Sequence, residues 1–137
     1  MWLIYSLLAA IFAALVAIFG KIGIKNIDST LATTVRAIIM AGFLVMVTLF
    51  LGKFGRFGSI DSRSMKFIVL SGVAGALSWL FYFSALKFGL ASRVASVDRL
   101  SVVFVVLLAA LFLGETLTLK SVMGITLLTI GAVILVL

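Results

Sequence analysis

Two charged side chains, Asp98 and Arg99, lie next to each other inside an apolar stretch of the sequence. This stretch, 94–113, is long enough to cross a bilayer as a helix. A charge inside such a span costs roughly 3 kcal/mol on insertion scales, and residues of this kind commonly bind polar solutes or ions, or relay protons. Asp98 is the only carboxylate well inside a span, so it is the candidate proton acceptor if the chain couples its activity to protons.

A second charge, Arg36, lies at a similar depth in the apolar run 30–52. The runs 30–52 and 94–113 cross the membrane in the same direction, and each charge follows the start of its run by only a few residues. At 1.5 Å per residue both charges lie roughly 6–9 Å below the same membrane boundary. We therefore predict that Arg36 pairs with Asp98, with the hydroxyl of Tyr82 close by.

Several interpretations of these polar and aromatic residues stay open. The predicted ion pair either takes part in solute binding or is a fixed contact that locks the helices together. Arg99 either faces a cavity and meets an anionic or zwitterionic group, or extends to the headgroups at the membrane surface. The aromatic side chains one turn apart either line a solute path or pack as ordinary interior residues. The candidate solute-binding residues are Arg36, Trp79, Tyr82, Asp98 and Arg99.

The composition of the 137-residue chain indicates an integral membrane protein. Hydrophobic residues make up 65% and charged residues only 11%, against about a quarter charged in soluble domains. Cysteine and histidine are absent, so the chain offers no disulfide, no thiolate metal ligand and no imidazole relay. Paired carboxylates are also missing, so we expect neither an enzyme nor a bound cofactor or metal. The net charge of +7 lies mainly in short loops, which indicates membrane topology rather than nucleic-acid binding.

Five apolar runs can each span the hydrocarbon core as a helix. Backbone polar groups in lipid must be satisfied within their own segment, so the expected fold is all-α, with a single five-helix transmembrane domain over 1–137. The first run lacks a preceding basic region and a small-residue cleavage pattern, so we interpret it as a retained helix rather than a signal peptide. The approximate spans are 2–20, 30–52, 67–87, 94–113 and 121–137.

Helix association is indicated by Gly124 and Gly131, which share one face of the last run and would pack against a neighbour within the chain or across a dimer. Basic residues are divided almost evenly between the two sides, with a slight preference for a cytoplasmic N-terminus. A chain with so weak a bias can insert in both directions. An antiparallel homodimer would place one polar cluster near each face, as inverted repeats do in many transporters. A parallel dimer or another assembly is the alternative.

The chain resembles a known repeat unit. The stretches ALKFGLASRVASVDRLSVVF and LAALFLGETLTLKSVMGITLLTIGAVIL are similar to the repeat of EamA-type proteins in the drug/metabolite transporter superfamily. The Leu-Gly-Glu that contains Gly114 and Glu115 matches that pattern, as does an arginine early in helix two, here Arg36. Val-Asp-Arg-Leu-Ser at 97–101 replaces the proline-bearing stretch common in the family and resembles the short single-unit members.

This resemblance implies a fold and a function. It covers the chain as one five-helix unit, whereas most familiar members carry two inverted units in ten helices, so a single unit implies a dimer. Gly114 and Glu115 then belong to a structural signature at a helix end. The related small multidrug resistance proteins use a glutamate in helix one, and helix one here has no acidic residue, so their proton–drug exchange does not carry over.

We therefore expect a multi-pass transporter of the cell (plasma or inner) membrane. It would move a small-molecule solute, either a small metabolite or an amphipathic compound, by alternating access, surrounded by membrane lipids. The alternative is a lipid-handling or assembly subunit of a membrane complex. In that case Gly124 and Gly131 would serve an interface with another chain, and the polar cluster would be a packing lock.

Overall fold

A computed structural model describes residues 1–137 and shows a chain built only from helices and the turns between them. A 3-10 turn precedes the third α-helix, and a π-helical turn follows the fifth. The α-helices are α1 (Trp2–Gly23), α2 (Ser29–Phe50), α3 (Ser62–Phe88), α4 (Ala91–Asp98), α5 (Ser101–Leu108) and α6 (Leu119–Val136). The 3-10 turn is Phe54–Ser59 and the π-helical turn is Ala109–Leu113.

Five segments are long and apolar enough to cross a membrane, which confirms the all-α, five-span prediction. Helices α1, α2, α3 and α6 each provide one span. The remaining span, Ala91–Leu113, combines α4, α5 and the π-helical turn. Most large apolar side chains on these segments lie on the outside of the chain. That distribution suits a hydrocarbon environment, because lipid tails solvate such surfaces without cost.

Local sequence signals begin and end these helices. Asp28 caps α2 by accepting hydrogen bonds from the backbone N–H groups of Thr30 and Leu31, at 2.9 and 3.1 Å. These bonds, the one from Leu31 foremost, hold the pKa of the Asp28 carboxyl below its usual value of 3.8. Thr118 caps α6 through the backbone N–H of Ser121. Gly114 ends the π-helical turn in the left-handed conformation, with φ of +69°.

The helices divide into two compact units. The central unit, Phe19–Lys87, contains the end of α1 together with α2 and nearly all of α3. The terminal unit joins Met1–Ile18 to Phe88–Leu137 and contains most of α1 together with α4, α5 and α6. Within the terminal unit, α6 packs against both α4 and α5.

The span that carries Asp98 contains a tight helical turn. Helix α4 ends at Asp98 and α5 begins at Ser101, so Arg99 and Leu100 form a turn between them. Hydrogen bonds of the 3-10 type cross this turn, from Leu100 N–H to Val97 O and from Val102 N–H to Arg99 O. Arg99 and Leu100 keep right-handed helical backbone angles, with φ of −64° and −63°. The span therefore continues through the turn as a tighter helix.

Candidate functional site

The central unit contains a cleft of about 620 Å³ between α2 and α3. Such a volume is in the range of sites that hold small organic molecules. Small residues on both helices keep the cleft open, and a single charged side chain, Arg36, lies in its wall. The lining residues are Thr33, Thr34, Arg36, Ala37, Met40, Ala41, Leu44, Gly72, Gly75, Ala76, Trp79 and Leu80.

The Arg36 guanidinium lies over the face of an aromatic ring. Its Cζ atom is 3.6 Å from the centroid of the Trp79 ring and 5.5 Å from that of Phe83. A cation this close to an indole face is attracted by the ring quadrupole, which stabilises the charge inside the span. The N–H donors of a guanidinium lie in its own plane and point away from the stacked face. Arg36 is therefore fixed in position without using its hydrogen-bond donors on the ring.

The aromatic side chains of α3 form a connected group. The Trp79 ring meets the Tyr82 ring edge to face, with centroids 5.5 Å apart, and lies 5.9 Å from Phe83. Phe83 is 3% exposed and anchors the group inside the central unit. Trp79 and Tyr82 are among the site residues predicted from the sequence, and Phe83 is not. Its position four residues after Trp79, on the same helix face, is the signal that could have found it.

Contacts around the start of α2 and the end of α3 hold these side chains in register. The hydroxyls of Ser29 and Ser84 lie 3.3 Å apart, and Thr33 Oγ1 donates to Ser29 O at 2.7 Å. At the end of α1, Gly20 lies against Phe83, and a Cβ there would come within 3.1 Å of the ring. The absence of a side chain at Gly20 thus lets the buried Phe83 ring pack beside the Arg36 site.

Among the predicted site residues, the structure brings Arg36, Trp79 and Tyr82 together in the central unit. Asp98 and Arg99 belong to the terminal unit, where they are exposed at the end of α4 and in the turn before α5. The Arg36–Asp98 pair would join residues of different units, and it stays a prediction.

The other predicted residues lie around the end of the fourth span and along the last helix. Gly114 gives the left-handed cap of the π-helical turn, and the backbone N–H of Glu115 donates to Ala109 O at 3.3 Å. Gly124 and Gly131 are exposed, and a Cβ at either position would meet nothing within 4 Å in this chain. Both glycines of α6 are therefore available to a neighbouring surface.

Comparison with known proteins gives a consistent assignment. Residues 1–137 match the EamA-like transporter family. A protein of Sinorhizobium sp. named "uncharacterized transporter in cobO 3'region" is 40% identical over 134 residues, which cover 98% of this chain and 95% of the relative. An uncharacterized protein of Methanocaldococcus jannaschii is 29% identical over 133 residues, which cover 97% of this chain and 94% of that protein. No solved structure matches the chain.

The family match extends over all five spans and includes the helix that carries Arg36. Together with the relative named a transporter, it indicates a membrane transporter rather than an enzyme. The predicted resemblance is confirmed: this multi-pass membrane protein belongs to the EamA-like transporter family.

Proposed function

We propose that the protein moves a small metabolite or amphipathic solute across the plasma or inner membrane by alternating access, and that it works as a dimer. The observation that carries this proposal is the cleft between α2 and α3, in which a half-buried guanidinium is fixed over the Trp79 ring. A charge held inside a membrane span is costly, and it is commonly retained where it lines a solute or ion pathway.

The 3-10 turn at Arg99 and Leu100, directly after Asp98, supports the same function. A stretch of 3-10 helix inside a longer helix often marks a functional hinge. We propose that Asp98 and Arg99 complete the pathway begun by Arg36, Trp79 and Tyr82. Asp98 would then be the group that gains and loses a proton if transport is coupled to protons.

A dimer is proposed because a single unit of five helices encloses little space. The Sinorhizobium relative is matched over 95% of its length, so it too consists essentially of one such unit. Exposed Gly124 and Gly131 on α6 give a surface on which a second copy can approach closely. Two copies inserted in opposite directions would reproduce the inverted arrangement from which many transporters derive alternating access.

Transport is tested in phosphatidylcholine vesicles loaded with an equimolar panel of organic acids, amino acids, amines and sugars. Release of each compound is followed by mass spectrometry and compared with protein-free vesicles. We expect faster release of at least one compound, slowed at least tenfold by Arg36→Gln, Asp98→Asn or Arg99→Ala. Arg63→Gln and Asp61→Asn are matched charge controls outside the cleft, and they should leave release unchanged. Release equal to that of empty vesicles would contradict transport.

Alternating access and dimer orientation are tested by cysteine labelling, for which the cysteine-free chain gives no background. Thr34→Cys and Leu44→Cys place one thiol near each end of the cleft. Solute should raise labelling of one thiol by an impermeant maleimide and lower that of the other. Equal, solute-independent labelling would instead favour the lipid-handling or assembly role.

The orientation of the two copies is tested with Arg56→Cys and the same impermeant maleimide in intact cells. Labelling of half the molecules would support opposite insertion, and labelling of all or none would exclude it.

A further inference from the structure

The electrostatics of the α2–α3 cleft indicate what kind of solute it takes, an inference that rests on the transport function proposed above. Its wall contains a cation and no carboxylate. The two acidic residues of the central unit lie outside the spans, where they accept hydrogen bonds at the starts of helices. Asp28 accepts backbone hydrogen bonds at the start of α2, and Asp61 accepts one from Ser64 N–H at the start of α3. Within its unit, Arg36 therefore has no carboxylate partner.

The hydrogen-bond donors of the cleft favour an anion. The hydroxyl protons of Thr33 and Thr34 are already donated to Ser29 O and Thr30 O, at 2.7 and 2.9 Å. Trp79 covers one face of the Arg36 guanidinium but leaves its in-plane N–H groups open to a partner. A carboxylate matches that fork of donors with two parallel hydrogen bonds. A cationic solute would instead bring a like charge into an apolar wall.

The remainder of the cleft favours an apolar body next to that anionic group. Met40, Leu44 and Leu80 contribute aliphatic surface, while Gly72 and Gly75 leave room beside it. One guanidinium compensates one negative charge, and a second anionic group in the same apolar space would stay unpaired. The lining therefore suits a monoanion with an aliphatic or aromatic body.

The depth of Arg36 distinguishes a small solute from a membrane phospholipid. Arg36 follows Ser29, the first residue of α2, by seven positions, so it lies about 10 Å below the start of the helix. Phospholipid phosphates lie outside the hydrocarbon core, near that start. A small acid can reach the guanidinium without drawing a lipid headgroup into the core.

We propose that the cleft binds an amphipathic organic monocarboxylate, with the carboxylate on the in-plane N–H groups of Arg36 and the apolar body between α2 and α3. Trp79 acts as a positioning residue, because its ring covers one face of the guanidinium and holds it in place. This binding mode assigns the transported solute to a chemical class.

Three probes with the same body but different charge test this assignment: 4-phenylbutyrate, 4-phenylbutylamine and 4-phenylbutanol. Binding is followed by the fluorescence of Trp79, in a Trp2→Phe background that removes the only other tryptophan. The protein is held in phosphatidylcholine nanodiscs. We expect the acid to bind at least about tenfold more tightly than the amine or the alcohol, because charged hydrogen bonds contribute most of the preference.

Variants then assign the preference to Arg36. Arg36→Gln should abolish the advantage of the acid, Arg36→Lys should retain part of it, and Arg63→Gln should retain all of it. Equal binding of the three probes by the unmodified site, or tightest binding of the amine, would overturn the proposal without any variant. Competition by phosphatidylglycerol that depends on Arg36 would also overturn it, because the cleft would then be a lipid site.

The two proposals fail in different ways. If the acid binds through Arg36 but no compound is released from vesicles, the carboxylate site stands and transport is wrong. If compounds are released with no preference for acids and the probes bind equally, transport stands and the carboxylate site is wrong.

Discussion

The Arg36 Cζ atom lies 3.6 Å from the centroid of the Trp79 ring, so the positive charge of α2 is stabilised by an aromatic face of α3. Such a contact contributes about 1–2 kcal/mol where water is excluded. It also joins two helices at the level of the proposed solute site, so its loss should be measurable both in binding and in stability.

Replacing Trp79 by Leu should weaken binding of 4-phenylbutyrate by about five- to tenfold, because the guanidinium loses the ring that fixes it. Trp79→Phe keeps a ring face and should retain most of the affinity. The measurement is equilibrium dialysis of the labelled acid, which does not depend on tryptophan fluorescence. Trp2→Leu is the control and should bind normally. Normal affinity in Trp79→Leu would show that the stacked ring does not position Arg36.

Gly20→Ala should destabilise the protein by about 1–3 kcal/mol, because its Cβ would lie 3.1 Å from Cζ and 3.4 Å from Cε1 of the buried Phe83 ring. Gly42→Ala, where a Cβ meets nothing within 4 Å, should be neutral or slightly stabilising because alanine favours helix. Thermal unfolding in detergent measures both variants. Equal unfolding midpoints would show that the Phe83 ring moves aside at no cost.

Gly114→Ala should destabilise the end of the fourth span by about 1–2 kcal/mol, because alanine is strained at the φ of +69° that this position adopts. No atom lies within 4 Å of a Cβ there, so the cost comes from the backbone alone. Gly114→Asn should cost less, since asparagine tolerates the left-handed region. If the two variants unfold at the same temperature, the left-handed cap is not what limits stability at this position.

Stability should depend on pH through the cap of α2. The backbone N–H group of Leu31 foremost, then that of Thr30, lowers the pKa of Asp28, with Lys87 adding a favourable charge. A pKa that is lower in the folded state adds stability above the unfolded value of about 3.8, and this stability disappears as the pH falls through the folded pKa.

The variant Asp28→Asn tests this dependence, because it keeps an oxygen acceptor but removes the charge. The wild-type advantage in unfolding midpoint should be constant from about pH 7 to pH 5 and should shrink below about pH 4. An advantage that persists unchanged in acid would contradict this account.

The predicted pairing of Arg36 with Asp98 can be tested by exchanging the two charges. If Arg36 and Asp98 pair when no solute is bound, Arg36→Asp and Asp98→Arg should each lower the yield of folded protein strongly, because an unpaired charge is left inside a span. The double variant should restore the yield if the two side chains meet. Combining Arg36→Asp with Glu115→Arg is the control and should not restore it. Size-exclusion chromatography of the solubilised protein measures the folded fraction. If Arg36→Asp combined with Asp98→Arg does not restore the yield, the two side chains do not meet.

Much of the fold could be predicted from the sequence because it depends on local properties. The length of each apolar run decides whether it spans a bilayer, and the lipid forces each run to satisfy its own backbone as a helix. Caps are also local: the sequence predicts Asp28 or Ser29 as the cap of α2 and Thr118 as the cap of α6, and the structure has Asp28 and Thr118 there. The same argument gave the depth of Arg36, because depth follows from a count of residues along one helix.

Depth along a helix does not determine which way a side chain points. The residue count placed Arg36 near the layer of Tyr82, but only the packing of α2 against α3 placed its guanidinium over Trp79, with Phe83 behind. The 3-10 turn between Asp98 and Ser101 was equally hidden, since neither glycine nor proline marks it. The sequence by itself determined the number of spans and the position of each charge along its helix. The tertiary structure decided which aromatic ring covers Arg36 and the shape of the cleft, because rotation about each helix axis depends on side chains far apart in the chain.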